Sequence, residues 1–134
     1  MSERPIPNLD DPDTGGHWAA AKRGEVALRV CTDCDTVLHL PKAYCHACGG
    51  WSTEWRAMAP TGTLYSYTVT ERELRPGFEP PYTVVVVELD DAPEARLFGC
   101  LEGRPELTIG MPMRARFDPV DDEVTLIQWD PVSA

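Results

Sequence analysis

Four of the five cysteines in this sequence fall in two identically spaced pairs, Cys31-Thr-Asp-Cys34 and Cys45-His-Ala-Cys48, with ten residues between the pairs. Two residues between cysteines let one tight turn aim both sulfurs at a common point. Two such turns facing each other close a tetrahedral four-thiolate metal site. A redox reading of either pair needs a βαβ context in which the pair opens a helix. The flanks here, Val26-Ala-Leu-Arg-Val30 and Leu38-His-Leu-Pro41, read instead as short extended segments. The expected arrangement is a structural zinc ribbon with Cys31, Cys34, Cys45 and Cys48 as ligands. Iron is the alternative ion, because an all-sulfur tetrahedron suits either metal, and a disulfide pair or a redox centre is the alternative chemistry. Four thiolates leave no open position for water or substrate, so the ion is expected to fold the segment rather than to catalyse. Gly49-Gly50 fits the positive-φ positions of a metal knuckle. His39 and His46, near the cluster, read as surface residues of the ribbon turns.

The composition narrows the partners. A chain of 134 residues, 43% of them hydrophobic, suits one packed domain or a domain with a small appendage. No run approaches the eighteen or so consecutive apolar residues of a membrane span, and Met1 to Asn8 contain no apolar signal region. Paired metal-type cysteines then point to a reducing cytoplasm. Zinc ribbons often bind nucleic acid through lysines and arginines that neutralise phosphates. Here 22 acidic residues face 12 basic ones, a formal charge of −10, which argues against a polyanionic partner. Cys100, inside Arg96-Leu-Phe-Gly-Cys-Leu101, reads as a buried strand cysteine rather than a nucleophile.

Along the chain, residues 1–24 form an acidic, proline-containing arm and a short helix. Asp13 or Thr14 can cap that helix, Gly24 can stop it, and Trp18 is its one large apolar residue. The ribbon spans 25–56, with Trp51 and Trp55 at its end in positions that can share one face. Residues 57–134 alternate strand and turn signals. Thr63 to Thr70 is aromatic and β-branched. Leu74 to Pro81 is a proline-rich loop that presents Phe78. Tyr82 to Leu89 is an apolar strand long enough to be covered on both faces, Ala95 to Leu101 returns as a hairpin, and two further strands end near Trp129. About five short strands with turns between them fit a small barrel of the oligonucleotide/oligosaccharide-binding (OB) type. The fold class is mainly β: an N-terminal helix, a four-cysteine zinc ribbon, then a five-stranded OB-fold barrel.

The order of ribbon and barrel, with Arg23-Gly-Glu-Val-Ala-Leu-Arg-Val-Cys31, Leu40-Pro41, Tyr44-Cys45-His-Ala-Cys48, Gly62-Thr-Leu-Tyr-Ser-Tyr-Thr68, Pro80-Pro-Tyr82 and Ile109-Gly-Met-Pro-Met113, resembles the acyl-CoA-associated OB-fold family with a rubredoxin-like zinc ribbon, a domain-of-unknown-function family. The resemblance covers roughly residues 14–131. It implies an accessory subunit of a thiolase-fold enzyme. That partner is either a lipid-transfer-protein-like aldolase that shortens steroid side chains held as CoA thioesters, which is the favoured reading, or an acetoacetyl-CoA thiolase/hydroxymethylglutaryl-CoA synthase-type complex.

The residues agree with a non-catalytic part, since no activated nucleophile, paired carboxylates, phosphate-binding glycine loop or dinucleotide fingerprint is present. Arg72 and Arg75, flanking the loop, are candidate phosphate contacts of a CoA ester; Arg114 and Arg116 share a strand face and offer the same chemistry. Pairing with the protein's own carboxylates is the plainer role for all four. Phe78 and Tyr82 can line an acyl groove, whereas Tyr65 and Tyr67 suit core packing. Trp18, Trp51 and Trp55 are candidate anchors for the partner. An independent zinc-ribbon binding module and an iron-dependent redox protein remain as alternative functions.

Overall fold

Alanines set the position of the helix. Helix α1 (Gly15–Lys22) buries Ala20 and Ala21 completely, and side chains this small let its axis approach the neighbouring sheet closely. The Thr14 side chain makes no capping bond. Asp11 Oδ1 instead accepts from the N–H groups of Asp13 and Thr14 (2.8 and 3.3 Å). Gly24 ends the helix at φ 80°, a backbone region that glycine enters at little cost. The computed structural model describes residues 5–132, so the first four residues of the expected arm lie outside it.

Strand β1 (Val26–Cys31) is the centre of a three-stranded antiparallel sheet with β2 (Val37–Leu38) and β3 (Thr53–Met58), in the order β2-β1-β3. Two residues after β3 the chain enters the second sheet. It comprises β4 (Thr61–Thr70), β5 (Tyr82–Leu89), β6 (Arg96–Glu102), β7 (Pro112–Pro119) and β8 (Thr125–Pro131), all antiparallel in the order β6-β5-β4-β7-β8. With β6 and β8 brought together, this is the strand order of an OB barrel.

Closure is made at two glycines. A Cβ on Gly62 would overlap the Glu88 carbonyl oxygen and the Val87 side chain, so β4 can bend against β5 only without one. A Cβ on Gly99 would lie 3.0 Å from Trp129 N and 3.2 Å from Trp129 Cδ1. At this seam between β6 and β8 the Cys100 N–H donates to the side-chain oxygen of Gln128 at 2.7 Å.

One apolar core serves both sheets. Val85, Val87 and Leu89 of β5, Leu97 and Leu101 of β6, Met113 and Trp129 form a single buried cluster with Ala21 of the helix and Val26 and Leu28 of β1. A second, small cluster holds Cys31, Leu38 and Cys45.

Strand β5 alternates strictly, with Thr83, Val85, Val87 and Leu89 buried and Tyr82, Val84, Val86 and Glu88 half-buried. The apolar run is therefore fully covered on one face and partly on the other. Tyr65 and Tyr67 do not enter the core: both are exposed. β4 shifts register between Leu64 and Ser66, and the Arg96 guanidinium lies 3.8 Å from the Tyr65 ring centroid. Gly62 and Leu64 face the core, so Tyr65 has the outward parity of the strand, and the bulge leaves it without a register partner on β5.

Candidate metal centre and apolar groove

The ends of the ribbon elements bring the four cysteine sulfurs within 4.8 Å of one another. Cys31 closes β1, Cys34 follows one turn later, and Cys45 and Cys48 sit on the second turn. The Sγ–Sγ distances Cys31–Cys48 and Cys34–Cys45 are both 3.6 Å. A tetrahedron with Zn–S bonds of about 2.3 Å has edges of about 3.8 Å, so the cluster is sized for such an ion.

The Cys45 thiol is held down to about 6 by the Cys48 backbone N–H first, then by that of Ala47 and by the Cys34 and Cys31 thiols, against the opposing effect of burial. At Cys48 the Gly50 N–H pulls downward, but the Cys31, Cys34 and Cys45 thiols and desolvation outweigh it and push the group up to about 12. Four thiols crowded this closely lose protons unequally until a cation neutralises them. Gly49 has the expected positive φ (77°). Gly50 does not need one; a Cβ there would meet Asp33 Oδ2 at 2.6 Å.

A groove of about 700 Å³ opens where helix, ribbon and barrel meet. His17 and Trp18 of α1 form one wall, with Leu28, Arg29 and Trp55 of the ribbon sheet beside them. Leu40 and Pro41 continue the ribbon side. Opposite stand Phe78, Tyr82 and Val84, then Phe98 and Cys100 of β6, and Gln128 and Trp129 of β8 lie at the closing seam. Leu40, Leu74 and Phe98 are 75%, 59% and 69% exposed, which gives the groove apolar lips. Among the described residues no aspartate or glutamate lines it, in a chain where 22 of 134 residues are acidic.

The cations around the groove differ in how they are engaged. Arg29 binds Thr53 Oγ1 and the carbonyls of Pro12 and Asp13 and faces Asp13 Oδ1 at 3.6 Å. Arg96 pairs with Glu88 at 3.3 Å. Arg75, on the rim, makes no ion pair with the described residues, nor do Arg72 and Arg114. Self-pairing does hold for Arg116, which binds Asp130 at 2.9 Å.

His39 is not a surface residue of the ribbon. It is half-buried in the groove wall, its Nε2 lies 3.0 Å from the Arg96 carbonyl oxygen, and desolvation lowers its pKa against that bond. His17 is lowered in the same way, with a bond to the Ala27 backbone opposing and the charge of His39 adding. His46 is exposed on the metal turn.

The structure gathers Trp18, Trp55, Arg75, Phe78 and Tyr82 around this one groove, with the Phe78 and Tyr82 rings 5.8 Å apart. Trp51 and Trp55 part company. Trp55 is wedged beneath α1, where a Cβ on Gly16 would overlap its indole. Trp51, 74% exposed, packs its ring 5.5 Å from Tyr44 on the ribbon. Arg72 lies on the exposed loop outside the groove. Cys100 is half-buried and on the groove side rather than in the core. Sequence reasoning missed Arg29, His17, His39, Phe98 and Gln128. Only Phe98 left a signal, as an aromatic on the outward parity of β6.

Comparison with known proteins gives a consistent family. Residues 18–54 match the ChsH2 rubredoxin-like zinc ribbon domain and residues 55–118 the ChsH2 C-terminal OB-fold domain. A solved structure described as the Ltp2-ChsH2(DUF35) aldolase contains a chain 34% identical to this one, with TM-score 0.83 over 96% of this chain and 98% of that one. A DUF35-family protein of unknown function from Sulfolobus solfataricus shares the fold at 15% identity, TM-score 0.60, over 91% and 86% of the two chains. A probable enoyl-CoA hydratase alpha subunit from Thermomonospora curvata is 34% identical over 130 residues, 96% of this chain, which spans only 40% of that relative's length. The paired cysteines, the ribbon running into the barrel and the near end-to-end likeness to a solved ChsH2 chain together show that this protein belongs to the ChsH2 (DUF35) zinc-ribbon and OB-fold family.

Proposed function

We propose that this chain is the non-catalytic, zinc-bearing subunit of a thiolase-fold acyl-CoA enzyme. That enzyme is a retro-aldolase, and it cleaves the CoA thioester of a steroid side chain, of sterol or bile acid type. The observation that carries this reading is the groove: large, mainly apolar and lined by no carboxylate of the described residues in a chain of charge −10, with Arg75 on its rim making no ion pair with them. A ligand with an apolar body and phosphate charges matches those walls, and an acyl-CoA has both.

In this reading Cys31, Cys34, Cys45 and Cys48 hold zinc, which supplies folding energy to the ribbon when bound. Trp18, Trp55, Phe78 and Tyr82 pack the acyl group. Arg75, and Arg72 on the same loop, meet the phosphates. Trp51, paired with Tyr44 and outside the groove, is the anchor for the catalytic subunit. The relatives fit this picture: one is described as an aldolase, another as a probable hydratase subunit, and hydration of an enoyl thioester makes the β-hydroxyacyl thioester that a retro-aldol step consumes.

The test is reconstitution. The chain alone should leave β-hydroxyacyl-CoA and steroid-CoA esters untouched, and co-expression with a lipid-transfer-protein-like aldolase subunit should give a stable, active complex. Turnover by the pure chain, or no association with any thiolase-fold partner, overturns the reading. Selective association with an acetoacetyl-CoA thiolase/hydroxymethylglutaryl-CoA synthase-type complex replaces the aldolase as the partner.

A further inference from the structure

The seam that closes the barrel is also the polar end of an apolar groove, and its unused groups are all of one kind. The Cys100 N–H points at the Gln128 side chain at 2.7 Å. A donor in that position requires the amide oxygen, so the amide NH2 of Gln128 is turned the other way. Gln128 is only 7% exposed, it lines the groove, and its amide nitrogen has no partner among the described residues. The next residue adds a buried donor: Trp129 is fully buried, also lines the groove, and its indole N–H has no acceptor among the described residues. Gly99 sits against both, since a Cβ there would lie 3.2 Å from Trp129 Cδ1 and 3.4 Å from Gln128 Oε1. The missing side chain keeps the approach to both donors clear of bulk.

Buried donors left unpaired are rare and costly. The indole N–H of Trp129 is one such donor, and the Gln128 amide beside it in the groove lining makes no hydrogen bond through its nitrogen to the described residues; together they describe a site suited to an acceptor. From this geometry we infer that Gln128 and Trp129 form a donor subsite. It reads a carbonyl or keto oxygen on the part of the ligand that reaches the β6–β8 seam. The inference rests on the groove being the ligand site and adds what the ligand carries there: an apolar body ending in a hydrogen-bond acceptor. A ligand without that oxygen leaves the donors unpaired and gains only its apolar contacts. This is the situation in which a polar pocket discriminates strongly against an isostere that cannot bond.

The test uses the full chain loaded with zinc and two probes of the same shape, 2-acetylnaphthalene and 2-isopropenylnaphthalene, which differ only in C=O against C=CH2. Binding is measured by titration calorimetry and the ketone stretch by infrared difference spectroscopy. The expected result is that the ketone binds about tenfold tighter than the alkene and that its carbonyl band moves to lower wavenumber on binding. Gln128→Glu keeps an acceptor for Cys100 but loses the donors. It should abolish the preference and the band shift while the alkene still binds. Trp129→Phe, which keeps a ring but loses the N–H, should reduce both. Equal binding of the two probes to the wild-type chain, or a preference that survives both substitutions, overturns the donor subsite and leaves the groove reading intact. If neither probe binds, both readings fail.

Discussion

Gly16→Ala sets two effects of opposite sign against each other on one wall of the groove. In an open helix this change stabilises by up to about 1 kcal/mol, because alanine is the better helix former, and by less near the first turn, where Gly16 lies. Here the new Cβ falls inside the contact distance of three indole atoms of Trp55, Nε1, Cδ1 and Cε2. Ordinary carbon contacts sit near 3.5–4.0 Å, so the ring must retreat by on the order of 1 Å. The indole is a broad wall rather than a flexible tip, and the Arg29 guanidinium lies 5.9 Å from its centroid, so the displacement spreads to the groove. Overpacking of this kind costs about 1–3 kcal/mol, more than the propensity gain. The net expectation is a loss of about 1–2 kcal/mol, a fall in Tm of roughly 3–8 °C for a chain of this length, and weaker ligand binding. Thermal melting with zinc present and calorimetric titration of the acyl-CoA measure these effects. A variant that melts higher than the wild type would mean that helix propensity governs the site, and that α1 and Trp55 do not form the tight wall described.

Replacing Cys31 or Cys48 by serine should release the metal and loosen residues 25–55, since three thiolates no longer close the tetrahedron; elemental analysis and hydrogen exchange read both effects. The depressed pKa values of His17 and His39 mean that below about pH 6.5 the unfolded chain takes up protons that the folded chain resists. The stability these groups contribute is full above that pH and is lost as pH falls through their folded values, so Tm should decline from pH 7 to pH 5, and a His17→Gln variant should show a shallower decline. Trp51→Ala should weaken association with the catalytic subunit about tenfold, about 1.4 kcal/mol, and leave acyl-CoA binding unchanged. Phe98→Ala should do the reverse, and partner binding assays with calorimetry separate the two.

Much of the fold is written locally. Cysteine spacing, the Gly24 stop and the apolar run of β5 are short-range signals, and each appears in the structure where the residues place it, although only one face of β5 is fully covered. The groove was only half legible, for a physical reason. Phe78 and Tyr82 advertise themselves because aromatic residues beside a proline-rich loop are unusual. Leu28, Arg29, Gln128 and Trp129 come from opposite ends of the chain and meet only when the barrel closes over the ribbon. His39 reads as a ribbon surface residue until the Arg96 carbonyl, far away in sequence, is brought to 3.0 Å from its ring. The misplacement of Tyr65 has a different origin: aromatic and β-branched composition marks a strand without saying which face is covered, and the burial of Gly62 and Leu64 gives Tyr65 the outward parity.

The shared core has a consequence for how this molecule comes apart. Ala21, Val26 and Leu28 precede the metal cluster in sequence, yet they pack among the barrel strands. A cut after residue 56 would not release a self-sufficient barrel, because it would leave a hole where those three side chains stood. Melting should then proceed in a single step, with calorimetric and van't Hoff enthalpies in agreement. β1 runs from that core straight to Cys31, so a chelator that strips the ion would draw down the stability of the whole molecule, barrel included.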